Sequence, residues 1–364
     1  MINSKFKNSV WGKLAIPVGI ALLTFALTEL FSQFPAFTET VYSKRLYPAI
    51  ASILSFFNKW IPISIDDLFY GLLILFFFIL IFLTIFRKVT FRKSLLLFIQ
   101  TIAICYSIFY WFWGFNYYRN NLNERLTLRQ VTTDTVQFVA VLNNLINETN
   151  ASHCSFDSIS KPEISRLVES SYKVNAEFLK IKYPNGTRLP KSISLSSFFA
   201  KAGISGYYGP FFSEIHLNDS LLLIEYPQVL AHESAHQFGI TSEAEANFYS
   251  WLVCNQSKSK HLKYSANINL LSYFLAQARK LHQYPEIIRS IQEPVINDIR
   301  MIQKHWARLH NEKIDKVAGK VNDAYLKTNK VKNGIDDYFG VVQFVMDFKT
   351  DSLAMKKVDS RSVK

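Results

Sequence analysis

One uninterrupted apolar run constrains the fold of this chain more than any other feature. Residues Leu68–Phe86 contain no charged side chain and are followed at once by four basic residues within Arg87–Lys93. A helix of about 20 apolar residues spans the hydrocarbon core of a bilayer. We therefore predict a transmembrane helix over residues 68–86, and the chain has to fold around a membrane-spanning segment.

Two further segments predict spans of similar length. Residues Leu14–Phe31 are apolar apart from Glu29 near the far end, are interrupted by Pro17, and predict a first span or signal anchor. Residues Leu95–Phe115 predict a third span, whose aromatic end is typical of a membrane interface. Most of the apolar excess lies before residue 116, so we assign residues 1–115 to a transmembrane region.

The distribution of basic residues predicts the orientation of these spans. Lys5, Lys7 and Lys13 precede the first span, and the loop Arg87–Lys93 holds four basic residues and no acid. Because such segments remain in the cytoplasm, three spans place everything that follows on the opposite side. Residues 116–350 are thus predicted to form an extracytoplasmic domain, with a polar tail over 351–364.

Charge and cysteine content limit the classes of partner. The net charge of +13 is scattered rather than clustered, and favours a solvated basic surface near anionic lipid over nucleic-acid binding. An amphipathic helix at the membrane surface is predicted for Tyr42–Trp60. No C-x-x-C pair is present, which argues against cysteine ligation of a metal; Cys154 and Cys254 are equally compatible with a disulfide and with free thiols.

The remaining pattern predicts an α+β domain that is mostly helical with a small sheet. Short strands are predicted at Ser192–Leu195, Gly206–Phe212 and Glu214–Asn218, with a turn at Pro184–Gly186 before them. Helical periodicity covers the other segments, Val131–Ile146, Pro162–Ile181, Leu262–His282, Glu286–Lys327 and Ile335–Phe348.

The chemistry of the chain is concentrated in an H-E-x-x-H motif formed by His232, Glu233 and His236. Pro227 suits a helix start and Gly239 suits the left-handed stop just beyond its end. On a helix the two histidines lie on one face, so both imidazoles can reach one Zn²⁺ with Glu233 beside it.

A catalytic zinc usually takes three protein ligands, and Glu243 and Glu245 are the candidates for the third. Ser242 and Glu245 have the spacing of a capping box, which would give Glu245 a structural task. The segment Glu243–Asn247 also resembles the E-x-x-A-D/N motif of gluzincin metallopeptidases. That resemblance implies that Glu243 is the third zinc ligand and that Asn247 supports one of the histidine ligands. Glu243 follows His236 by only seven residues, closer than gluzincins usually have it, so the choice between the two glutamates stays open.

Matching segments lie along most of the chain, at Pro62–Leu68, Asn116–Arg119, Gly206–Phe211, the two blocks around His232 and Glu243, and Tyr325–Asn329 with Gly334, Tyr338 and Gly340. In these segments the chain resembles the bacterial membrane proteins of the domain-of-unknown-function 3810 family. That resemblance implies a zincin-like domain, of gluzincin type, in a multi-pass protein of the bacterial inner membrane. In zincins a sheet edge lines the cleft, and Ile215–Leu217 would supply it, with His216 at the surface or in the cleft.

These features predict a membrane-anchored zinc metallopeptidase, in which a zinc-activated water attacks a peptide bond and Glu233 is the general base. Its substrate would be a peptide or protein of the cell envelope. Tyr338, Tyr325 and His216 are candidates for stabilising the oxyanion. The alternative is a non-catalytic zincin-like scaffold or sensor that binds an envelope ligand or partner. Intramembrane proteolysis is disfavoured because the motif lies far from any hydrophobic run.

Overall fold

The computed structural model describes residues 10–132, 134–183, 189–332 and 334–351, which form two compact units. The first unit runs to Arg119 and also includes Gly209–Glu214. The second comprises Asn120–Tyr208 and the chain from Ile215 onward. The predicted turn at Pro184–Gly186, nearly all of the predicted polar tail, and Lys5 and Lys7 lie outside the described residues.

The first unit is helical and contains three helices that are long and apolar enough to cross a membrane. They cover Ala15–Gln33, Ile65–Ile85 and Phe91–Phe112, each end lying within four residues of its predicted position. Its elements are α1 (Val10–Gln33), α2 (Pro35–Phe37), a π-helix (Thr38–Leu46), α3 (Tyr47–Asn58), α4 (Ile65–Ile85), α5 (Phe91–Phe112) and a 3-10 helix (Gly114–Tyr118).

Local capping explains where the two later spans begin. The Ser64 side chain accepts a hydrogen bond from the Asp67 N–H at the start of α4. Thr90 does the same for the Lys93 N–H at the start of α5. Side-chain oxygens at these positions satisfy backbone donors that have no partner within the helix.

The single amphipathic helix predicted for Tyr42–Trp60 is instead two elements. A π-helical stretch ends at Leu46, and α3 begins at Tyr47 with Pro48 in its first turn. Proline has no N–H to donate to the preceding turn, so Pro48 suits the first turn of a new helix. Tyr42 and Tyr47 are buried, and the Tyr42 hydroxyl donates to the Trp111 carbonyl oxygen at 2.9 Å.

The second unit is mostly helical and contains a three-stranded sheet. Its elements are α6 (Leu122–Leu126), α7 (Thr135–Ser152), α8 (Lys161–Asn175), β1 (Lys191–Ser192), α9 (Ser196–Lys201), β2 (Gly206–Gly209), β3 (Glu214–Leu217), α10 (Tyr226–Gln237), α11 (Glu243–Asn255), α12 (Lys260–Ala278), α13 (Tyr284–Arg289), α14 (Glu293–Leu309), α15 (Glu312–Thr328), a 3-10 helix (Gly334–Gly340) and α16 (Val341–Thr350).

The strand predicted as a sheet edge lies in the middle of the sheet. The strand order is β1-β3-β2, and β1 pairs with β3 in parallel, Lys191 opposite His216 and Ser192 opposite Leu217. Every residue of β3 is buried. The prediction of an exposed edge at Ile215–Leu217 was therefore wrong, and His216 is a fully buried residue.

Two long predicted helices are interrupted in the structure. The segment 286–327 forms three helices, because Pro294 starts α14 and His310 adopts an extended backbone at its end. The segment 335–348 begins as a 3-10 helix and becomes α-helical only at Val341. Gly334 precedes it at φ +54°, where an added Cβ would overlap the Asp323 carboxylate.

The core of the second unit forms around helices α10, α11 and α12, which pack on one another. All twelve residues of α10 are buried, and α11 contributes the large buried side chains Phe248, Tyr249 and Trp251. Cys154 and Cys254 are free thiols, so of the two arrangements compatible with the sequence the structure has the unpaired one. The two helices that carry the H-E-x-x-H and glutamate motifs are thus the centre of the core.

Candidate metal site

Helix α10 presents both histidines of the motif to one point. Pro227 lies in its first turn, and Gly239 at φ +80° turns the chain back just after its end. That turn brings the Ile240 carbonyl oxygen to 2.7 Å from Nδ1 of His236. A carbonyl oxygen can only accept, so Nδ1 of His236 carries the proton and its Nε2 offers a lone pair.

Helix α11 brings Glu243 to the same point. Ser242 caps the helix by accepting from the Glu245 N–H, which puts Glu243 at the first helical position. Its Oε2 lies 3.0 Å from Nε2 of His232 and 3.6 Å from Nε2 of His236. The two Nε2 atoms are 3.1 Å apart. Two imidazole nitrogens and one carboxylate oxygen therefore converge within a space the size of one ion.

These three atoms fit a zinc ion. Zinc bound at about 2.0–2.2 Å in tetrahedral geometry holds its ligand atoms roughly 3.3–3.6 Å apart, close to the three separations here. Two histidines and one carboxylate form a donor set that zinc uses in catalytic sites. Two imidazole lone pairs facing each other at 3.1 Å repel unless a cation or a proton lies between them.

The electrostatics of the site favour a cation. Burial acts to lower the pKa of His236, but the Glu243 carboxylate overrides it and raises that pKa to about 9. Burial likewise acts to raise the pKa of Glu243, but His236 and His232 hold it below its usual range. The carboxylate is thus ionised and attracts positive charge into a buried position.

Asn247 orients the other histidine of the motif, His232, through its ring nitrogen Nδ1. Its Oδ1 lies 3.0 Å from Nδ1 of His232, while its Nδ2 donates to the Tyr273 hydroxyl at 3.3 Å. Gln228 donates to the same Oδ1 at 3.4 Å. With the amide held in this orientation, Nδ1 of His232 donates to it and Nε2 faces Glu243, the arrangement that metal-binding histidines use.

The structure separates Glu243 from Glu245. The Glu245 N–H binds Ser242 as a capping box requires, but its carboxylate does not return to the helix start. Instead it accepts from the Leu122 N–H at 2.8 Å and forms a buried ion pair with Arg125. Glu245 thus fastens α11 to α6, while Glu243 lies beside the two histidines.

Glu233 is close to the histidines but does not bind them. Among the described residues its carboxylate makes no hydrogen bond or ion pair. A Cβ added at Gly206 would lie 2.9 Å from its Oε1 and 2.9 Å from the His216 carbonyl oxygen. Strand β2 therefore needs glycine here to leave room for this side chain. Burial raises the pKa of Glu233, and the two motif histidines act in the opposite direction.

The three candidates for the oxyanion lie in different surroundings. His216 is fully buried on β3, with its ring stacked on Tyr207 at 4.3 Å. Tyr325 is 39% exposed on α15. Tyr338 is half-buried and its hydroxyl donates a hydrogen bond to Glu243. Burial and the charges of Glu243 and Glu233 raise its pKa well above the usual value, so the hydroxyl keeps its proton.

Sequence reasoning missed two side chains that shape the site. Tyr273 supports Asn247 from α12, where its position follows the helical pattern and no motif marks it. Asp337 binds the start of α11, accepting from the Ser242 hydroxyl at 2.8 Å and from the Ala244 N–H at 3.3 Å. The only signal for Asp337 was its place directly before Tyr338.

Comparison with known proteins identifies the family. The profile described as protein of unknown function (DUF3810) matches residues 42–346, most of the chain. No curated protein and no solved structure matches the chain. The matched region includes both helices of the candidate metal site and two of the three apolar helices. The chain is therefore a member of the DUF3810 family.

Proposed function

We propose that this protein is a membrane-anchored zinc metallopeptidase. The observation that carries the proposal is the convergence of Nε2 of His232, Nε2 of His236 and a carboxylate oxygen of Glu243, with Glu233 beside them. Each histidine has its Nδ1 bound by an acceptor, which leaves both Nε2 lone pairs for the ion. A structural zinc would need a fourth protein ligand, whereas three ligands leave a position for water.

Zinc, when bound, would act as a Lewis acid and make water nucleophilic near neutral pH. Glu233 would accept the proton of that water and return it to the amine that leaves. Its carboxylate is suited to this task because it forms no hydrogen bond or ion pair with a described residue. Burial also makes this carboxylate a stronger base than an exposed one, which favours its taking a proton from water.

The location of the site limits the substrate. Three helices can cross a membrane, and the basic loop Arg87–Lys93 lies between the second and third of them. By the positive-inside rule that loop would face the cytoplasm of a bacterial inner membrane, and the metal site would then lie outside the cytoplasm. The substrate would then be a peptide or protein of the cell envelope.

The test is metal content of the full-length protein purified in detergent, measured by elemental analysis. We expect about one zinc per chain in the wild type. Glu243→Gln should lose it, because one of three ligands is removed. Asp337→Asn is a matched control, since it changes a carboxylate next to the ligand helix without removing a ligand, and it should retain zinc.

Peptide hydrolysis by the zinc-loaded protein then distinguishes a metallopeptidase from a non-catalytic scaffold or sensor. Glu233→Gln should keep zinc and abolish cleavage of a denatured protein substrate such as casein. Folded wild-type protein that binds no zinc would refute the proposal. Zinc-loaded protein with no hydrolysis of any peptide would favour the alternative, a scaffold or sensor that binds an envelope ligand.

A further inference from the structure

The short helix Gly334–Gly340 is built onto the start of the helix that carries Glu243. Asp337 accepts from the Ser242 hydroxyl at 2.8 Å and from the Ala244 N–H at 3.3 Å. These two residues flank Glu243 in the chain. Backbone N–H groups at a helix start have no partner within the helix, so a carboxylate there is a strong anchor.

Two more contacts fix the same segment. A Cβ added at Gly340 would lie 3.0 Å from Cβ of Ala244, so glycine allows the two helices to approach closely. The Phe339 ring packs edge-on against Tyr273, with ring centroids 5.9 Å apart. In a 3-10 helix residues three apart lie on one face. Asp337 and Gly340 thus form the face that contacts α11.

The anchored segment holds Tyr338 close to Glu243 and Glu233. Its hydroxyl donates to Glu243, and both Glu243 and Glu233 act on it electrostatically. A hydroxyl that lies next to a metal ligand and near the general base is close to where a substrate carbonyl would meet the ion. Tyr338 itself is half-buried.

We propose that Tyr338 is a catalytic residue that donates a hydrogen bond to the oxyanion, and that Asp337 positions it by capping helix α11. This inference rests on the proposed peptidase function. Water adds to the carbonyl carbon, the carbonyl oxygen becomes the anion, and the C–N bond then breaks as Glu233 returns the proton to the amine. The hydroxyl has a single proton, so it exchanges its hydrogen bond to Glu243 for one to the oxyanion. The tyrosine O–H bond itself stays intact, and the hydroxyl stabilises charge without transferring a proton.

The other two candidates do not meet these conditions. His216 is fully buried on the central strand under the ring of Tyr207. Tyr325 is exposed, and it lies on α15 rather than on the segment that binds α11. Tyr325→Phe is therefore a matched control, the same loss of one hydroxyl from an exposed tyrosine outside the anchored segment.

The experiment measures two affinities on the full-length protein in detergent. Cobalt(II) replaces zinc, and its visible spectrum reports both metal binding and the binding of phenylphosphonate, a tetrahedral oxyanion probe. We expect Tyr338→Phe to change the cobalt affinity less than about threefold and to weaken phenylphosphonate by ~10–100-fold, the usual worth of one hydrogen bond to a charged group. Tyr325→Phe should change neither.

Each contrary result has its own meaning. Equal losses of cobalt and probe affinity in Tyr338→Phe would show that the hydroxyl only orients Glu243, and would overturn the inference. An unchanged probe affinity would overturn it as well, as would cobalt-loaded wild type that does not bind the probe. Wild-type protein that binds neither cobalt nor zinc would instead refute the proposed function itself.

Asp337 is tested by a double-mutant cycle. Asp337→Asn alone should weaken the probe by about 3–10-fold, because the amide holds the helix start less firmly than the carboxylate. In the Tyr338→Phe background it should have almost no further effect on probe affinity, since it acts through that hydroxyl. Additive losses would show that Asp337 acts independently of Tyr338, and would overturn its assigned role.

Discussion

Helices α4 and α10 place their polar and apolar residues in opposite ways. The span α4 has a mean hydropathy of 2.9, yet only 6% of its most apolar window is buried within the protein. Helix α10 is entirely buried although half of it is polar, including His232, Glu233 and His236. In α4 the apolar side chains face outward, and in α10 the polar ones face inward.

The difference lies in how each helix satisfies its polar groups. The start of α4 is capped by Ser64 and by Glu214, which accepts from the Ile65 and Asp66 N–H groups at 2.8 and 3.0 Å. Beyond that point it has few polar groups to satisfy. Helix α10 has polar side chains along its whole length, and their partners come from other elements. A buried polar helix thus depends on tertiary contacts that an apolar span does not need.

The largest effect is expected where buried polar groups lose their partner. Glu245→Ala would leave the fully buried Arg125 guanidinium without its carboxylate. Breaking such a pair costs about 3–5 kcal/mol in unfolding free energy. Thermal unfolding in detergent should show a strongly lowered midpoint. The double variant Arg125→Met with Glu245→Met should recover most of the lost unfolding midpoint. A Glu245→Ala protein as stable as the wild type would contradict this account.

A charge in the middle of the apolar span should have the next largest effect. Leu75 is 52% exposed at the centre of α4. Leu75→Arg places a guanidinium in the bilayer core, at a cost of about 2.5–3.5 kcal/mol on insertion scales. We expect that in many chains the loop Arg87–Lys93 will lie on the wrong side of the membrane. Labelling of a cysteine introduced at Val89 with a membrane-impermeant reagent measures this fraction. Leu75→Phe is the control and should insert normally.

Overpacking next to Glu233, the proposed general base, should lower the free energy of unfolding by less than the two preceding substitutions change theirs. Gly206→Ala puts a Cβ 2.9 Å from the Glu233 carboxylate and the His216 carbonyl oxygen, which cannot both move away. We expect a loss of about 1–3 kcal/mol in unfolding free energy. Gly319→Ala is the control, since nothing lies within 4 Å in an exposed helix, and it should stabilise by about 0.5–1 kcal/mol. Equal effects at the two glycines would contradict the close contact.

The smallest effect is expected for the support of His232. Asn247→Ala removes the oxygen that holds Nδ1 of the ring but leaves every proposed ligand in place. We expect about a tenfold loss of zinc affinity, near 1.4 kcal/mol, in competition with a chelator. Asn255→Ala, at the far end of the same helix, should leave the affinity unchanged. A loss as large as that of Glu243→Gln would make Asn247 a ligand instead.

Sequence patterns predicted the spans, the end of α10 and the start of α11 well because those signals are local. Length and hydropathy define a span, and Ser242 and Gly239 act on the backbone groups beside them. The sheet was less predictable. The two residues of β1 pair with β3 and put it in the middle of the sheet, and a strand of two residues leaves almost no periodicity to detect.

The sequence by itself determined that the chain has three membrane-length helices and that two histidines share a helix face, because spacing and hydrophobicity are properties of adjacent residues. Only the tertiary structure decided which glutamate lies beside those histidines, since the Arg125 that engages Glu245 is more than a hundred residues away in the chain. It also decided that Tyr338 lies at Glu243. Contacts between distant segments depend on packing, which local patterns do not encode.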